Sequence, residues 1–580
     1  MRIIFLIFLQ FGIYLKAQVP KFDWIIAEGH KSDIGSLQLT TDVNSNTIAN
    51  INFLLSLIGL CDEEINLNSE RTDIQFLVKY DSNGQCIWKH QFSDNFTGVL
   101  DDGIFLSTDY LGNIIICSSY RGTIWLDPEQ SIHAPSGIGK AFVAKLDPNG
   151  KLIWHRILSS ENGIGSVSAY RVTNDNDGNV YLSASHSSGN LILDSIIIEY
   201  PILAGSLKNT LIKLDQDGNL LWFKKIESYE SVFQNIGVNS LLQVVLVGSF
   251  RGKELRVDQF ALTNRDTLTP NLTSDAVLLV LNRDGNVQYI KSIGGIETDY
   301  IEQLSIDDQG NIFIGGSSRS KEIEIFSKKI KSLPTSQDAI NFLAKINLNY
   351  ELEWLYEDHV LGMFGLNYIL LNQKQDLWTA WQLNRDTIYL KGIPFVSPGN
   401  SSPDLLFIRF KNNGNIEQVF QLQGKGRENA GGYECGGLHS DGSLVISGTF
   451  TSDTLYFGDY ALPTVARKQI GDQYTSAAFI ARISPDGMVA TKDYKSNNQS
   501  LVSILPNPSN DYIQIQLNSE ITGEGELQIM NVEGRIMRDI HVKLGISSVQ
   551  VDVIDWPAGV YLCRYMGHGG VRDFSKFVVE

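Results

Sequence analysis

Apolar and polar residues alternate in short runs along most of the chain, and the runs come in pairs around tight turns. The clearest copy, residues 76–88, reads FLVKYDSNGQCIW; it returns as FVAKLDPNGKLIW at 142–154 and as LIKLDQDGNLLW at 211–222. Weaker copies begin at Leu278, Phe342, Phe407 and Phe479. Period-two alternation predicts a strand on each side of the turn. Asp or Asn followed by Asn-Gly or Asp-Gly predicts the turn itself, because glycine and asparagine tolerate positive φ. The turn position falls at Gly84, Gly150, Gly218, Gly285, Tyr350, Gly414 and Gly487, at intervals of 64 to 73 residues.

A second hairpin alternates with the first. DYLGNIIICSSY from Asp109 recurs from Asp175, Asp307 and His439, and in degenerate form from Asp42, Asn239 and Asn372. Its turn positions are Ser45, Gly112, Gly178, Leu242, Gly310, Gln375 and Gly442, spaced 64 to 68 residues apart. A fainter strand–turn–strand element follows, as in the segments from Thr123, Glu254 and Thr454.

One repeat of roughly 66 residues therefore holds several short strands and no amphipathic helix. Seven such units cannot each bury a core alone, and radial stacking buries one while leaving only short edges. The expected fold is all-β: a seven-bladed β-propeller over residues 19–495. FDWIIAE, residues 22–28, reads as a strand whose preceding turn is missing, so it is expected to complete a blade begun at the other end of the repeats. Trp24, Trp88, Trp154, Trp222 and Trp354 share one repeat position. A residue that recurs with every blade serves something every blade needs, and a wedge between blades is the expected role.

The pattern changes after a polar linker, residues 495–500. Six short alternating strands occupy the last 80 or so residues, which is the pattern of a small β-sandwich. Pro506-Asn507-Pro508, the turn ending in Gly534, the segment Gly559-Val560-Tyr561 and the terminal Lys576-Phe577-Val578-Val579 punctuate it. In kind and order these resemble the type A C-terminal sorting domain of the type IX secretion system of Bacteroidetes. The resemblance covers residues 501–580. It implies passage through the outer membrane by that machinery, then attachment to the cell surface or release. Ser503-Ile504-Leu505 stands where an aromatic often precedes the Pro-Asn-Pro of the family. The repeats resemble, less specifically, propeller repeats of secreted proteins from the same phylum, which implies a fold and little about activity.

The N-terminus agrees with export. Arg2, an apolar run from Ile3 to Leu15 and small Ala17 read as a signal peptide over residues 1–18. The run is too short to span a bilayer, which takes roughly 20 residues, and no transmembrane segment is expected after its removal. The net charge of −18 argues against nucleic acid, whose phosphates it repels. Five cysteines, none in CxxC spacing, support neither a zinc nor a redox motif; a disulfide among Cys61, Cys86, Cys117 and Cys435 stays open.

No catalytic, cofactor or metal constellation stands out. HExxH, GxSxG, a Walker loop and GxGxxG are absent. Ser93-Asp94-Asn95 and Ser318-Arg319-Ser320-Lys321 mimic two β-lactamase motifs but in the wrong order. Residues 174–178 look like half of a calcium loop and lack its ends. KLDPNGKLIW is similar to repeats of quinone-binding dehydrogenase propellers, without their adjacent cysteines. Asp-Ser-Ile at 194–196 and three related triplets, beginning at Asp266, Asp386 and Asp453, resemble a Bacteroidetes O-glycosylation acceptor. The expected function is that of a non-catalytic, surface-displayed binding or adhesion protein with a glycan or protein ligand. The alternative is a secreted hydrolase or lyase whose site assembles in the propeller channel.

Overall fold

The structure, a computed structural model, describes residues 20–579 apart from residues 29–33, 55–56, 67–73, 93–98, 101–102, 136, 164, 201–206, 332–339, 359–362, 373, 384–386, 391–392, 397–402, 425, 431–435, 458–459, 464–468, 471–472, 475, 489–501, 518–524, 532–535, 544–545 and 568–569. The expected signal segment and the polar linker lie outside the described residues. What is described is strand and connection, with one single-turn 3-10 helix at Glu161–Gly163. Two compact units divide the chain: residues 19–385 with 401–489 form one, and residues 490–580 belong to the other.

In the larger unit seven sheets repeat one antiparallel order, lettered a to d across each sheet. The first comprises Ile34–Thr41, Thr47–Phe53, Ile74–Tyr80 and Cys86–Gln91. The second comprises Phe105–Thr108, Ile114–Trp125, Lys140–Leu146 and Leu152–Ser160, and the third Val167–Asn174, Val180–His186, Lys208–Leu214 and Leu220–Ile226. The fourth runs Glu230–Val238, Val244–Arg251, Asp275–Leu281 and Val287–Ile293. The fifth runs Asp299–Ile306, Ile312–Ser318, Ile340–Ile346 and Leu352–Asp358. The sixth is Met363–Leu371, Leu377–Leu383, Asp404–Phe410 and Ile416–Leu422. The seventh is Gly436–Leu438, Leu444–Phe450, Ala477–Met488 and Pro20–Glu28, with Glu428–Asn429 extending its a edge.

Strand a of each sheet lies against strand a of the next, from the first sheet to the seventh, and Gly436–Leu438 returns to Ile34–Thr41. Strands b and c are buried on both faces, which is why they read as near-continuous apolar runs such as Asp275–Leu281. Six of the joints between sheets hold an apolar layer of their own among the described residues. Ile116 and Phe142 of the second sheet pack with Leu77 of the first, for example. Val445, Ala478 and Ile480 of the seventh pack with Ile51 and Phe76 of the first.

The turn chemistry explains the repeat. At Asp109, the Gly112 N–H donates to the Asp109 carbonyl at 2.9 Å, and Asp109 Oδ1 accepts the N–H groups of Leu111 and Asn113, each at 2.9 Å. The residue three positions on must take positive φ. Ser45, Leu242, Tyr350 and Gln375 do so without being glycine, at φ of 60°, 60°, 61° and 63°. Gly487 is the exception among the expected turns: Ala477–Met488 runs through it as one strand. Its outer neighbour is Pro20–Glu28, paired antiparallel with Trp24 opposite Arg482 and Glu28 opposite Ala478. The last sheet takes its d strand from the start of the repeats, so no return hairpin is needed there.

The fainter third element is also a hairpin, as at Glu254–Val257 with Phe260–Thr263 and at Thr454–Phe457 with Tyr460–Pro463. In the smaller unit, Val502–Leu505, Tyr512–Leu517 and Ser548–Asp552 form one sheet. Ile536–Val542, Gly525–Asn531, Gly559–Gly567 and Gly570–Val579 form another. Ile513 and Ile515 of the first share a core with Leu527, Ile529 and Phe577 of the second.

Candidate functional site

The five repeat tryptophans all sit on strand d, and each reaches the c–d turn of the following sheet. Nε1 of Trp24, Trp88, Trp154, Trp222 and Trp354 donates to the carbonyls of Ser82, Pro148, Gln216, Arg283 and Asn412 at 2.8 to 3.2 Å. The turn glycine two residues on lies against the indole: a Cβ at Gly218 comes within 2.8 Å of the Trp154 ring. Trp24 makes this contact from the seventh sheet to the first. Gln418 holds the same position in the sixth sheet, where the following sheet has no c–d turn to receive an indole.

The recurring acids are engaged in the same structural way. Asp42 and Asp109 pair with Lys79 and Lys145 at 2.9 Å, with both members of each pair buried, and Asp175 stands 3.9 Å from Lys213. Burial pushes the Asp109 carboxyl up, but bonds from Asn113 and Lys145 outweigh it and hold it below the usual carboxylate range. Asp175 also accepts from Asn179 and from the Tyr181 hydroxyl, so the half calcium loop is occupied by its own side chains. His439 fills the same slot in the seventh sheet, with Nε2 3.2 Å from Thr47 Oγ1. Burial, with Arg482 nearby, brings its pKa down to about 4. No group of three or more His, Cys, Asp or Glu suited to a metal occurs among the described residues.

Ser318 and Ser320, of the second β-lactamase-like string, bond Asp299, which also accepts the Gly295 N–H at 2.7 Å. Burial raises Asp299 to about 6 and nearby Asp275 to about 7. Neither carboxylate stands out in the sequence pattern. Ser452 bonds Glu428 at the matching place of the seventh sheet, and the other sheets show no such pair among the described residues. Ser93-Asp94-Asn95 lies outside the described residues. Cys61 and Cys86 form a disulfide, Cys117 and Cys563 are buried thiols, and Cys435 lies outside the described residues.

What does not recur lies at the tips of the a–b turns. An antiparallel a-b-c-d order puts the a–b and c–d turns at the same end of every sheet. Lateral bonds tie neighbouring a–b turns together: Ser45 with Ser440 at 2.7 Å, Ser240 to the Asp308 carbonyl at 3.1 Å, and Gln375 to Asp308 at 3.1 Å. Out of this polar belt stand Val43, Tyr110, Leu111 and Leu241, with Leu111 and Leu241 58% and 60% exposed. The other a–b tips carry polar pairs such as Asn176-Asp177.

In the smaller unit the sorting-motif residues come together. Asn507 Nδ2 donates to the Lys576 carbonyl and Oδ1 accepts the Val578 N–H, each at 2.9 Å. The opening Pro506-Asn507-Pro508 is thereby tied to the final strand. Tyr561 stacks on Phe577 with centroids 5.6 Å apart and donates to the Pro557 carbonyl at 2.7 Å. Gly559 begins that strand, and Gly534 lies outside the described residues.

Comparison with known proteins matches residues 503–580 to the secretion system C-terminal sorting domain. The chain carries that domain; it is exported by the type IX system and reaches the cell surface or the medium. A stretch of 320 residues is 22% identical to an uncharacterized WD repeat-containing protein of Acanthamoeba polyphaga mimivirus, covering 45% of this chain. The match spans 22% of that relative's length. Among solved structures, a protein of unknown function from Dyadobacter fermentans is 10% identical, with a TM-score of 0.34 over 82% of this chain and 100% of its own. The polysaccharide lyase Uly1 is 8% identical, with a TM-score of 0.38 and the same coverages. No helix among the described residues is long and apolar enough to cross a membrane.

Proposed function

We propose that residues 19–495 form a seven-bladed propeller that the sorting domain, residues 501–580, carries to the cell surface, where it binds a glycan or protein partner without catalysis. Seven a-b-c-d sheets whose a strands follow one another back to the first support the blade count. The binding reading rests on the exposed apolar residues at the a–b tips, Val43, Tyr110, Leu111 and Leu241. Turns on a rigid scaffold are where such proteins carry recognition. The repeated Asp, Lys, Trp and Ser residues hold sheets and turns, which leaves the non-repeated tips to carry specificity.

The test is a glycan array and a surface pull-down with the full chain and with a Y110A/L111S/L241S variant. The expected result is a ligand that the wild type retains and the variant loses at unchanged melting temperature. Equal retention by both overturns the assignment to this face. Cleavage of a polysaccharide by the full chain replaces the reading with a hydrolase or lyase.

A further inference from the structure

In four of the seven sheets the b–c hairpin pairs with strand d of the sheet before it or with the residue just past that strand. Arg256 pairs backbone to backbone with Glu227, Glu324 with Gly294, and Tyr456 with Gln423. Leu191–Leu193 pairs with Leu152–Ser160 along three residues. At the joint between the seventh and first sheets the position matching Glu227, Gly294 and Gln423 is residue 29, outside the described residues. There the hairpin is Leu57–Leu60 with Glu63–Asn66, and strand d ends at Glu28. No backbone bridge joins the two among the described residues. The Glu28 carboxylate accepts the Cys61 N–H at 3.3 Å to each oxygen. A cavity of about 350 Å³ opens between them.

Glu28 is only 4% exposed and lines the cavity. The Tyr80 hydroxyl donates to Oε1 at 2.7 Å. No cation of the described residues stands at ion-pair distance; Lys89, across the hairpin, is taken by Glu63 at 2.6 Å. Burial raises the Glu28 carboxyl to about 7, Tyr80 and Cys61 lower it, Asp62 adds to the rise and Lys89 opposes it. Ile26, Leu60 and the Cys61–Cys86 disulfide give the cavity apolar wall, and Asp62, Glu63 and Glu64 stand exposed at its rim.

We propose that this cavity binds a primary ammonium group on a short aliphatic stem, with Glu28 as its counter-ion. A buried carboxylate without a cation is costly, and an entering ammonium offsets that cost. Acids at the mouth of a cleft concentrate cations there. The apolar wall suits a methylene stem. A guanidinium is less suited, because its fork takes two free carboxylate oxygens and Tyr80 already holds Oε1. A divalent metal is also less suited, because these acids form no group of three potential ligands. Ionisation of Glu28 is linked to binding, so affinity drops about tenfold between pH 8 and pH 6.

Isothermal titration of the full chain with n-pentylamine, Nα-acetyl-lysine amide and 1-pentanol, at pH 6 and pH 8, tests this. The amines bind at pH 8 and about tenfold more weakly at pH 6. The uncharged alcohol binds at least about tenfold more weakly than pentylamine. Glu28→Gln keeps an oxygen for Cys61 and Tyr80 but loses amine binding and its pH dependence. Tighter binding of the lysine amide identifies a protein side chain as the source, and equal binding identifies a free amine. Alcohol and amine binding alike, amine binding unchanged in E28Q, or no amine binding to the wild type overturns the proposal. The alcohol comparison uses the wild type alone, so it decides even if E28Q fails to fold.

Discussion

Tyr289 stacks on Tyr350 with ring centroids 4.4 Å apart and planes 16° from parallel. At the equivalent joints on either side, Trp222 lies on Gly285 and Trp354 on Gly414. The fourth sheet replaces the indole with a smaller ring, and the fifth replaces the glycine with a ring that fills the vacated space. Tyr350 accepts φ of 61° to do so, and its hydroxyl receives Gln243 Nε2 at 3.1 Å. Two departures from the repeat are one solution. Y350G alone strips Tyr289 of its partner, and Y289W alone drives an indole into Tyr350. The double variant rebuilds the pair found next door. A double-mutant cycle by urea denaturation is expected to give favourable coupling of about 1–3 kcal/mol; simple additivity contradicts the pairing.

The buried ion pair shows the same covariation. Lys79, Lys145 and Lys213 accompany Asp42, Asp109 and Asp175, whereas in the fourth sheet Val280 accompanies Asn239. Asn239 Oδ1 still accepts the Leu241 and Gln243 N–H groups, at 3.0 and 2.9 Å. At Asn239 an amide oxygen serves the turn as the carboxylate does at Asp109, and the charge goes with the lysine. K145V alone leaves Asp109 buried without its cation and is expected to cost about 3–5 kcal/mol. D109N/K145V copies the fourth sheet and is expected to recover most of that in urea midpoints.

The turns and the shared tryptophans were legible because they recur. Spacing alone gave the turns at Gly84 or Gly178, even where Ser45 or Gln375 replaced the glycine. Residues 22–28 were legible as an orphan strand because Trp24 carried the repeat's tryptophan. Features that occur once left no such trace. Glu28 reads as the polar end of a strand; only its pairing partner, more than 400 residues away in sequence, shows that it faces a cavity. The Cys61–Cys86 bond needed the hairpin at Leu57–Asn66 to be folded onto strand d. Asp299 reads as a strand start, and its serines lie across a b strand whose register the repeat does not reveal. Gly487 misled for the opposite reason: it carries the turn signal, but Pro20–Glu28 already occupies the edge where a return strand would pair.

In the sorting domain Asn507 makes its two bonds to the final strand at positions near Lys576. Asparagine supplies a donor and an acceptor at once, which no hydrophobic residue or carboxylate does. N507A removes both bonds and is expected to destabilise this unit by about 1–3 kcal/mol. Export through the type IX machinery is then expected to fall, read as protein retained in the periplasm against protein at the surface. Undiminished surface display by N507A separates the contact from sorting.

His439 and Glu28 sit at the same joint, between the seventh and first sheets, and their protons act in opposite directions. Burial lowers His439 from 6.5 to about 4. Unfolding therefore takes up a proton at acid pH, and the stability present above 6.5 is lost as pH falls toward 4. Glu28 is raised from 4.5 to about 7. Its stability is present below 4.5 and is lost as pH rises through 7. Each effect amounts to about 3 kcal/mol at most, and the windows overlap, so the two largely cancel at this joint in the wild type. Single variants unmask them. H439N, which places at this turn the residue already used at Asn239, removes the acid loss, so its stability relative to wild type rises as pH falls from 6.5 to 4. E28Q removes the opposite loss, so its relative stability rises as pH climbs from 4.5 to 7. Urea midpoints across that range check both slopes, and parallel curves for wild type and variants exclude the burial that produces them.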